Sequence, residues 1–431
     1  MAVRPWVLLL SLCLACLLAS GGAAQRSTSA SIDPDKLAAA GVRVLRGKHL
    51  TLLTDLPATP EIDELTAVFD AAVPQWAEYF GVPPRELEDW RVLGSLIEDR
   101  ERFRALRLMP REKPGFVNGF ANAKALWLVE QPSAYYRRHL LLHEGTHAFV
   151  LSRFSELGPD WYREGVAELF GTHTWDGERL VMRVVPESRA SAPYWGRIKH
   201  LRAAVETQRV PTLERLMETR TSTRDSARSY SWCWAAAVML DTHPDHRGML
   251  SALARDAREG GFNGRFRKRT GEGWDDLQTD WAAWIAGLDY GADPEALRVL
   301  HRAVGDVPAD EVVCEIDAAL GWQSSGLRLR AGRRYRLSAE GRYRVAADGG
   351  VWPCEPGGIT LDYFGGRPIG QLLAAVAPAG SATARDFSVP TAVGLGATLT
   401  PRVEGVLFLR VNKSPVVDQS GGVVRVRVAR D

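Results

Sequence analysis

The sequence predicts an α+β domain followed by an all-β, jelly-roll-like sandwich. Three observations carry this expectation. Strand-like and helix-like segments are mixed before Phe170. A long apolar stretch, Leu140 to Val150, carries two histidines four residues apart, a helical spacing. Near residue 305 the texture changes to short alternating segments broken by Gly and Pro, the pattern of a sandwich.

In chain order, Val42 to Thr54 suits one or two strands. Pro60 to Phe80 sets Leu65, Phe69, Val73 and Trp76 at helical spacing. Trp90 to Ile97 and Ala125 to Glu130 read as strands, the second ending at Gln131-Pro132, after which Ser133 is placed to cap a helix. A turn at Leu157-Gly158-Pro159 leads to a second helix with Asp160 as its expected N-cap. From Phe170 to about Leu288 the chain is mostly helical, with Trp274, Leu277, Trp281, Trp284, Ile285 and Leu288 forming a core-facing stripe. The basic run Gly264 to Thr270 is expected to be a solvated loop. The polar stretch Asp306-Val307-Pro308-Ala309-Asp310 reads as a linker, and Leu327 to Arg330, Tyr335 to Leu337, Leu407 to Val411 and Val423 to Val428 read as sandwich strands.

The chemistry is concentrated in His143-Glu144-Gly145-Thr146-His147. On a helix the two imidazoles share one face and can bind one Zn²⁺, while Glu144 lies beside the open position and can take a proton from a zinc-bound water. The leucines around the motif bury at least one face, so solvated surface histidines are disfavoured. Glu164, on the following helix, is the expected third ligand, with His173 as a substitute. Glu168 is on the same face, placed to accept a ligand imidazole N–H. Tyr230 and His243 are candidates for the site; Tyr230 is the better oxyanion donor, although core packing also suits it. A metzincin pattern is excluded, because Val150 and Arg153 stand where it needs Gly and His.

This motif, followed by the helix Trp161-Tyr162-Arg163-Glu164-Gly165-Val166-Ala167-Glu168, resembles the gluzincin metallopeptidases, the thermolysin and aminopeptidase N clan, and especially their short relatives. The resemblance implies an α+β gluzincin-like metallopeptidase domain in which His143, His147 and Glu164 hold zinc and Glu144 is the general base. It also implies a sheet edge before the motif helix that holds substrate backbone; residues 123–130 are the candidate, and an ordinary buried strand fits them equally well. The strand by which aminopeptidases hold an amino terminus is absent, its place taken by Gly119-Phe120-Ala121-Asn122-Ala123. Residues 311–431 resemble the PA-I type galactose-binding lectin, through Ala339 to Tyr343, Gly405 to Asn412 and Asp418 to Gly421. That resemblance implies calcium-dependent sugar binding through Tyr343, Asn412, Asp418 and Gln419. Lys413 stands where the lectin has a calcium-binding aspartate, and an ammonium repels a cation.

At 431 residues the chain can hold two or three domains, and a net charge of +2 gives no bulk-charge argument for a polyanion partner. Residues 1–24 read as a secretory signal, with Arg4, a short apolar stretch and Gly22-Ala23-Ala24 at the cleavage point; lipidation at Cys16 is the alternative. The expected organisation is a signal (1–24), a polar, disordered leader (25–40), a peptidase domain (41–300), a linker (301–310) and a sandwich (311–431). Cys314 and Cys354 could pair in an oxidising compartment, and Cys233 reads as a core residue. No nucleic-acid motif or membrane-spanning segment occurs. The sequence therefore points to a secreted, periplasmic or cell-surface zinc metallopeptidase acting on peptides or proteins, with carbohydrate as a candidate partner of the C-terminal region. The alternative is a non-catalytic carbohydrate- or surface-binding protein with a structural zinc.

Overall fold

The computed structural model describes residues 33–113, 115–220, 226–255, 257, 260–416 and 418–431. The expected signal, 1–24, and Cys16 lie outside the described residues. The stretch expected to be a disordered leader to residue 40 is instead helical from Pro34. Asp33 caps this helix, α1 (Pro34–Ala39), by accepting from two backbone N–H groups, and Leu37 is buried.

The first sheet is built from β1 (Arg43–Arg46), β2 (Leu50–Thr54), β3 (Val92–Ile97), β4 (Gly119–Ala121) and β5 (Ala125–Val129), in the order β1-β2-β3-β5-β4. Its central pairs are parallel, while β4 runs antiparallel to β5 and forms the edge. Residues 123–130 are thus not the edge; β5 is covered by β4. Helices α2 (Pro60–Asp63), α3 (Leu65–Phe80) and α4 (Arg100–Ala105) connect the strands. The apolar stripe of α3 is buried, and the helix stops at Gly81 in the left-handed region (φ 64°).

The motif helix α5 (Ala134–Phe154) starts at Ser133, whose hydroxyl accepts from Tyr136 N. It is buried on all sides from His139 to Val150, between the sheet, α3 and α6 (Asp160–Gly171). A Cβ at Gly145 would meet Trp76 at 2.7 Å and Phe69 at 2.9 Å, so glycine is what lets α5 approach α3. The cap of α6 is Pro159 rather than Asp160, which sits in the first turn and pairs with Arg163. The hairpin β6 (His173–Trp175)–β7 (Leu180–Met182) interrupts the expected helical run. It resumes with α7 (Arg197–Glu206), α8 (Leu213–Met217), α9 (Ser226–Thr242), α10 (Met249–Ala254), α11 (Phe262–Thr270) and α12 (Trp274–Gly287). A Cβ at Gly165 would lie 2.7 Å from the carbonyl oxygen of Cys233, so α6 and α9 pack backbone to backbone there. The basic run 264–270 is helix, not loop, and Arg267 lies over Trp274 (4.7 Å to the ring centroid).

The remainder is β-rich. One sheet joins β8 (Gly305–Asp306), β10 (Gln323–Leu329), β16 (Leu372–Ala377), β17 (Thr391–Ala392) and β19 (Gly405–Val411) in the order β17-β16-β19-β10-β8. The other joins β9 (Val312–Asp317), β11 (Tyr335–Glu340), β18 (Gly396–Leu399) and β20 (Val423–Arg430) in the order β18-β11-β20-β9. Hairpins β12 (Tyr343–Ala347)–β13 (Gly350–Cys354) and β14 (Ile359–Phe364)–β15 (Arg367–Ile369) and the helix α13 (Ala384–Ser388) complete it. Ile316, Leu337, Val426 and Val428 of one sheet meet Leu327, Leu372, Leu407 and Leu409 of the other in a shared core.

The expected linker is part of this body. Leu300 bridges to Gln323, β8 pairs parallel with β10, and Val307 is buried in the sandwich core. A second core joins the two regions: Ala282 and Ala283 of α12 pack with Phe387, Val406, Phe408 and Trp322. Cys314 and Cys354 form no disulfide; both are free and buried, and their thiols donate to the carbonyls of Ser325 and Glu355. Cys233 is a core residue of α9. No helix among the described residues is long and apolar enough to cross a membrane.

Candidate metal centre

Helix α5 carries His143 and His147 one turn apart, and the turn at Gly158 (φ 73°) returns the chain so that α6 brings Glu164 against them. Glu164 Oε2 lies 3.3 Å from His143 Nε2 and 3.4 Å from His147 Nε2. All three side chains are buried, and their donor atoms lie within 4.8 Å of one another. The other oxygen of Glu164 accepts from Arg163 Nε at 2.9 Å, and Arg163 also pairs with Asp160 at 2.9 Å.

Glu168 is one turn further along α6. Its Oε1 is 3.4 Å from His143 Nδ1 and 3.5 Å from His139 Nε2. Arg197 of α7 donates to both of its oxygens at 2.9 Å, a bidentate pair buried on both sides. Burial pushes the Glu168 carboxyl up, but Arg197 and the imidazoles hold it well below the usual range. Arg197 carries no sequence signal that ties it to the motif; His139 does, standing one turn before His143 on the same helix face.

Glu144 is buried beside the donor set without belonging to it. Burial raises its pKa, against the pull of His143 and His147. Its carboxylate lies against Gly119 of the edge strand β4. Tyr230 of α9 is half-buried, with its ring 6.0 Å from that of His143 and 5.7 Å from the Arg197 guanidinium. Burial and the nearby carboxylates raise its pKa, so the phenol keeps its proton. A cleft of about 240 Å³ brings Glu144, His143, Glu164 and Tyr230 together with Asn118 and Gly119 of the strand region.

The donor chemistry fits a metal ion. Two imidazole nitrogens and a carboxylate oxygen converge in a buried place that Glu144, Glu164 and Glu168 make negative. Burial opposes a charged His143, yet hydrogen bonds to Glu164 and Glu168 raise it to about 10.

His173 is outside the centre. It stacks on Tyr135 (4.7 Å between centroids), sits 2.8 Å from the Gly171 carbonyl and accepts from Arg138. His243 is also elsewhere, grouped with His246 and Asp280. In the sandwich, Lys413 Nζ pairs with Asp418 Oδ1 at 3.1 Å, and the side chains of both are largely buried. The Asn412 amide nitrogen reaches the carbonyls of Phe364, Arg367 and Pro368, and the Tyr343 hydroxyl donates to the Gly370 carbonyl. Gln419 is exposed. The lysine thus holds the aspartate that the lectin resemblance assigns to calcium.

No protein-family model matches the chain, and no curated protein matches it. Among solved structures it is similar to one described as "EclA N-terminal domain; PllA-like lectin", at 20% identity and a TM-score of 0.21, over 28% of this chain and 95% of that one.

Proposed function

We propose that the protein is a zinc-dependent peptidase with a gluzincin-like catalytic domain, working outside the cytoplasm on peptide or protein substrates. One observation carries the reading: Glu144, buried and with a raised pKa, stands beside a complete His₂Glu donor set without joining it. A structural ion requires no such neighbour.

When bound by His143, His147 and Glu164, a zinc ion supplies Lewis acidity to the cleft. Glu144 takes a proton from the attacking water and delivers it to the leaving amine. Its raised pKa makes it a stronger base than an exposed glutamate. Tyr230, held as a neutral phenol, donates a hydrogen bond to the oxyanion that develops on the scissile carbonyl. Glu168, fixed by Arg197, orients the His143 ring. The edge strand β4, rather than residues 123–130, pairs with the extended substrate backbone, with Gly119 next to Glu144. The Lys413–Asp418 pair favours a sandwich that takes no calcium.

The test combines metal analysis with cleavage of a peptide library. Wild-type protein is expected to hold zinc and cleave. Glu144→Gln is expected to hold zinc and the fold but lose activity by roughly 10³-fold or more, since only the base is removed. Zinc binding with no turnover on any peptide would instead support a non-catalytic, surface- or sugar-binding protein. Near-wild-type turnover in Glu144→Gln would remove Glu144 as the base.

A further inference from the structure

The geometry points to a second metal site, for a zinc-class divalent ion, formed by His243, His246 and Asp280 at the junction of the helical region and the sandwich. His243 follows the last turn of α9, and His246 lies on the loop His243-Pro244-Asp245-His246. Asp280 comes from α12. Asp280 Oδ2 is 3.5 Å from His243 Nε2 and 3.8 Å from His246 Nε2, and the three donor atoms lie within 4.8 Å of one another. The spacing matches the first centre, where the same kind of oxygen faces two imidazoles at 3.3 and 3.4 Å.

Two independent features indicate a ligand. His243 Nε2 is buried, faces Asp280 and has no hydrogen-bond partner. A buried polar nitrogen left in this way is costly, and a cation would satisfy it. The second feature is the support around the aspartate. His301 Nε2 donates to the other oxygen of Asp280 at 2.6 Å, and its Nδ1 lies 3.2 Å from Asp276. Asp280 thus has one oxygen anchored by a neighbouring residue and the other directed at two imidazoles, the way ligand carboxylates are held in metal sites. The Asp245 N–H donates to His243 Nδ1 at a long 3.3 Å, which leaves the ring's proton on Nε2; ligation through Nε2 gives up that bond and places the proton on Nδ1, 4.0 Å from the Asp245 carboxylate.

The donors are nitrogens and a carboxylate, which select zinc, cobalt, nickel or copper over calcium or magnesium. The ion's role is mechanical. It would tie the end of α9 to α12, and through His301, whose ring meets Phe408 edge-on, to the sandwich. The proposal does not depend on catalysis at the first centre.

Cobalt(II) titration of the full chain, followed by visible absorption and by melting, tests it. The background is His147→Ala, with Glu164→Gln as a second background that disables the first centre. Each is expected to retain about one cobalt per chain and a cobalt-dependent rise in melting temperature. Adding His246→Ala, on the more exposed side of the site, or His243→Gln should abolish both while far-UV circular dichroism stays unchanged. No cobalt uptake in either folded background overturns the proposal, as does uptake that survives both added substitutions. Loss of one ion between wild type and His147→Ala reports on the first centre alone, so the two sites succeed or fail separately.

Discussion

Glu144 occupies the space that a side chain at Gly119 would need: a Cβ there would lie 2.8 Å from both Cγ and Cδ of the glutamate. The proposed base is therefore positioned by the edge strand as well as by its own helix. Gly119→Ala is expected to push the carboxylate aside and lower kcat/KM by roughly 10²-fold, the usual effect of about an ångström of misplacement. Metal content should not change. Kinetics and zinc analysis on the same sample check this, and unchanged kinetics would show that Glu144 can move at no cost.

Arg197 is the counter-charge that makes a buried Glu168 tolerable. Arg197→Met should leave the carboxylate unpaired and destabilise the fold by about 3–5 kcal/mol. In protein that still folds, metal affinity should drop by about 10–100-fold, because the His143 ring loses its oriented acceptor. Denaturant titration and competition with a chelator measure the two effects. Loss of stability with unchanged affinity would mean that Glu168 is structural only.

The metal-free protein should have a pH signature. His143 is raised from 6.5 to about 10 in the fold, so the stability from its proton is complete below pH 6.5 and is lost as pH rises through about 10. Glu164 is depressed below 4.5, so its contribution is present above that value and is lost on further acidification. Melting temperature against pH, with and without zinc, is the measurement. Zinc should flatten the alkaline decline, since the ion replaces the proton; parallel curves would count against the shared site.

The sandwich should not separate cleanly from the helical region. Phe408→Ala, which empties the junction core around Ala282, Ala283 and Phe387, is expected to cost about 3–5 kcal/mol. Calorimetry of the full chain should show one transition, and a chain ending at Asp306 should aggregate through the exposed face of α12. A well-behaved truncated chain, or two resolved transitions, would show that the regions are independent.

What the sequence made legible is tied to residue type and spacing. Helical period sets the two histidines on one face of α5 and Glu164 with Glu168 on one face of α6, and the turn at Gly158 brings the two faces together. Strands with one wet face, such as β11 and β20, alternate clearly between buried and exposed residues. Arg197 was not legible, because nothing in a distant helix marks which cation will neutralise a buried carboxylate. The junction was missed for a related reason. Strands β16 and β19 are buried on both faces, which removes the alternation that signals a sheet face, and the polar stretch after Asp306 conceals the buried Val307. Pairing of Cys314 with Cys354 was plausible from count and compartment, yet they belong to different sheets.

Because both faces of β19 are apolar, its hydrophobic pattern barely penalises a slip of one residue against its neighbours, a shift that would exchange Leu407 and Leu409 for Phe408 and Arg410. The chain therefore needs alignment marks of another kind. Gly405 is one: a Cβ there would lie 2.6 Å from the Ala377 carbonyl oxygen, so only this residue can sit opposite that end of β16. Arg410 is the other, with its guanidinium over Trp322 at 5.1 Å on the helical side; a slip would carry that charge into the sandwich interior. Two residues that add nothing to the cleft thereby decide which side of the strand faces the helical half of the molecule.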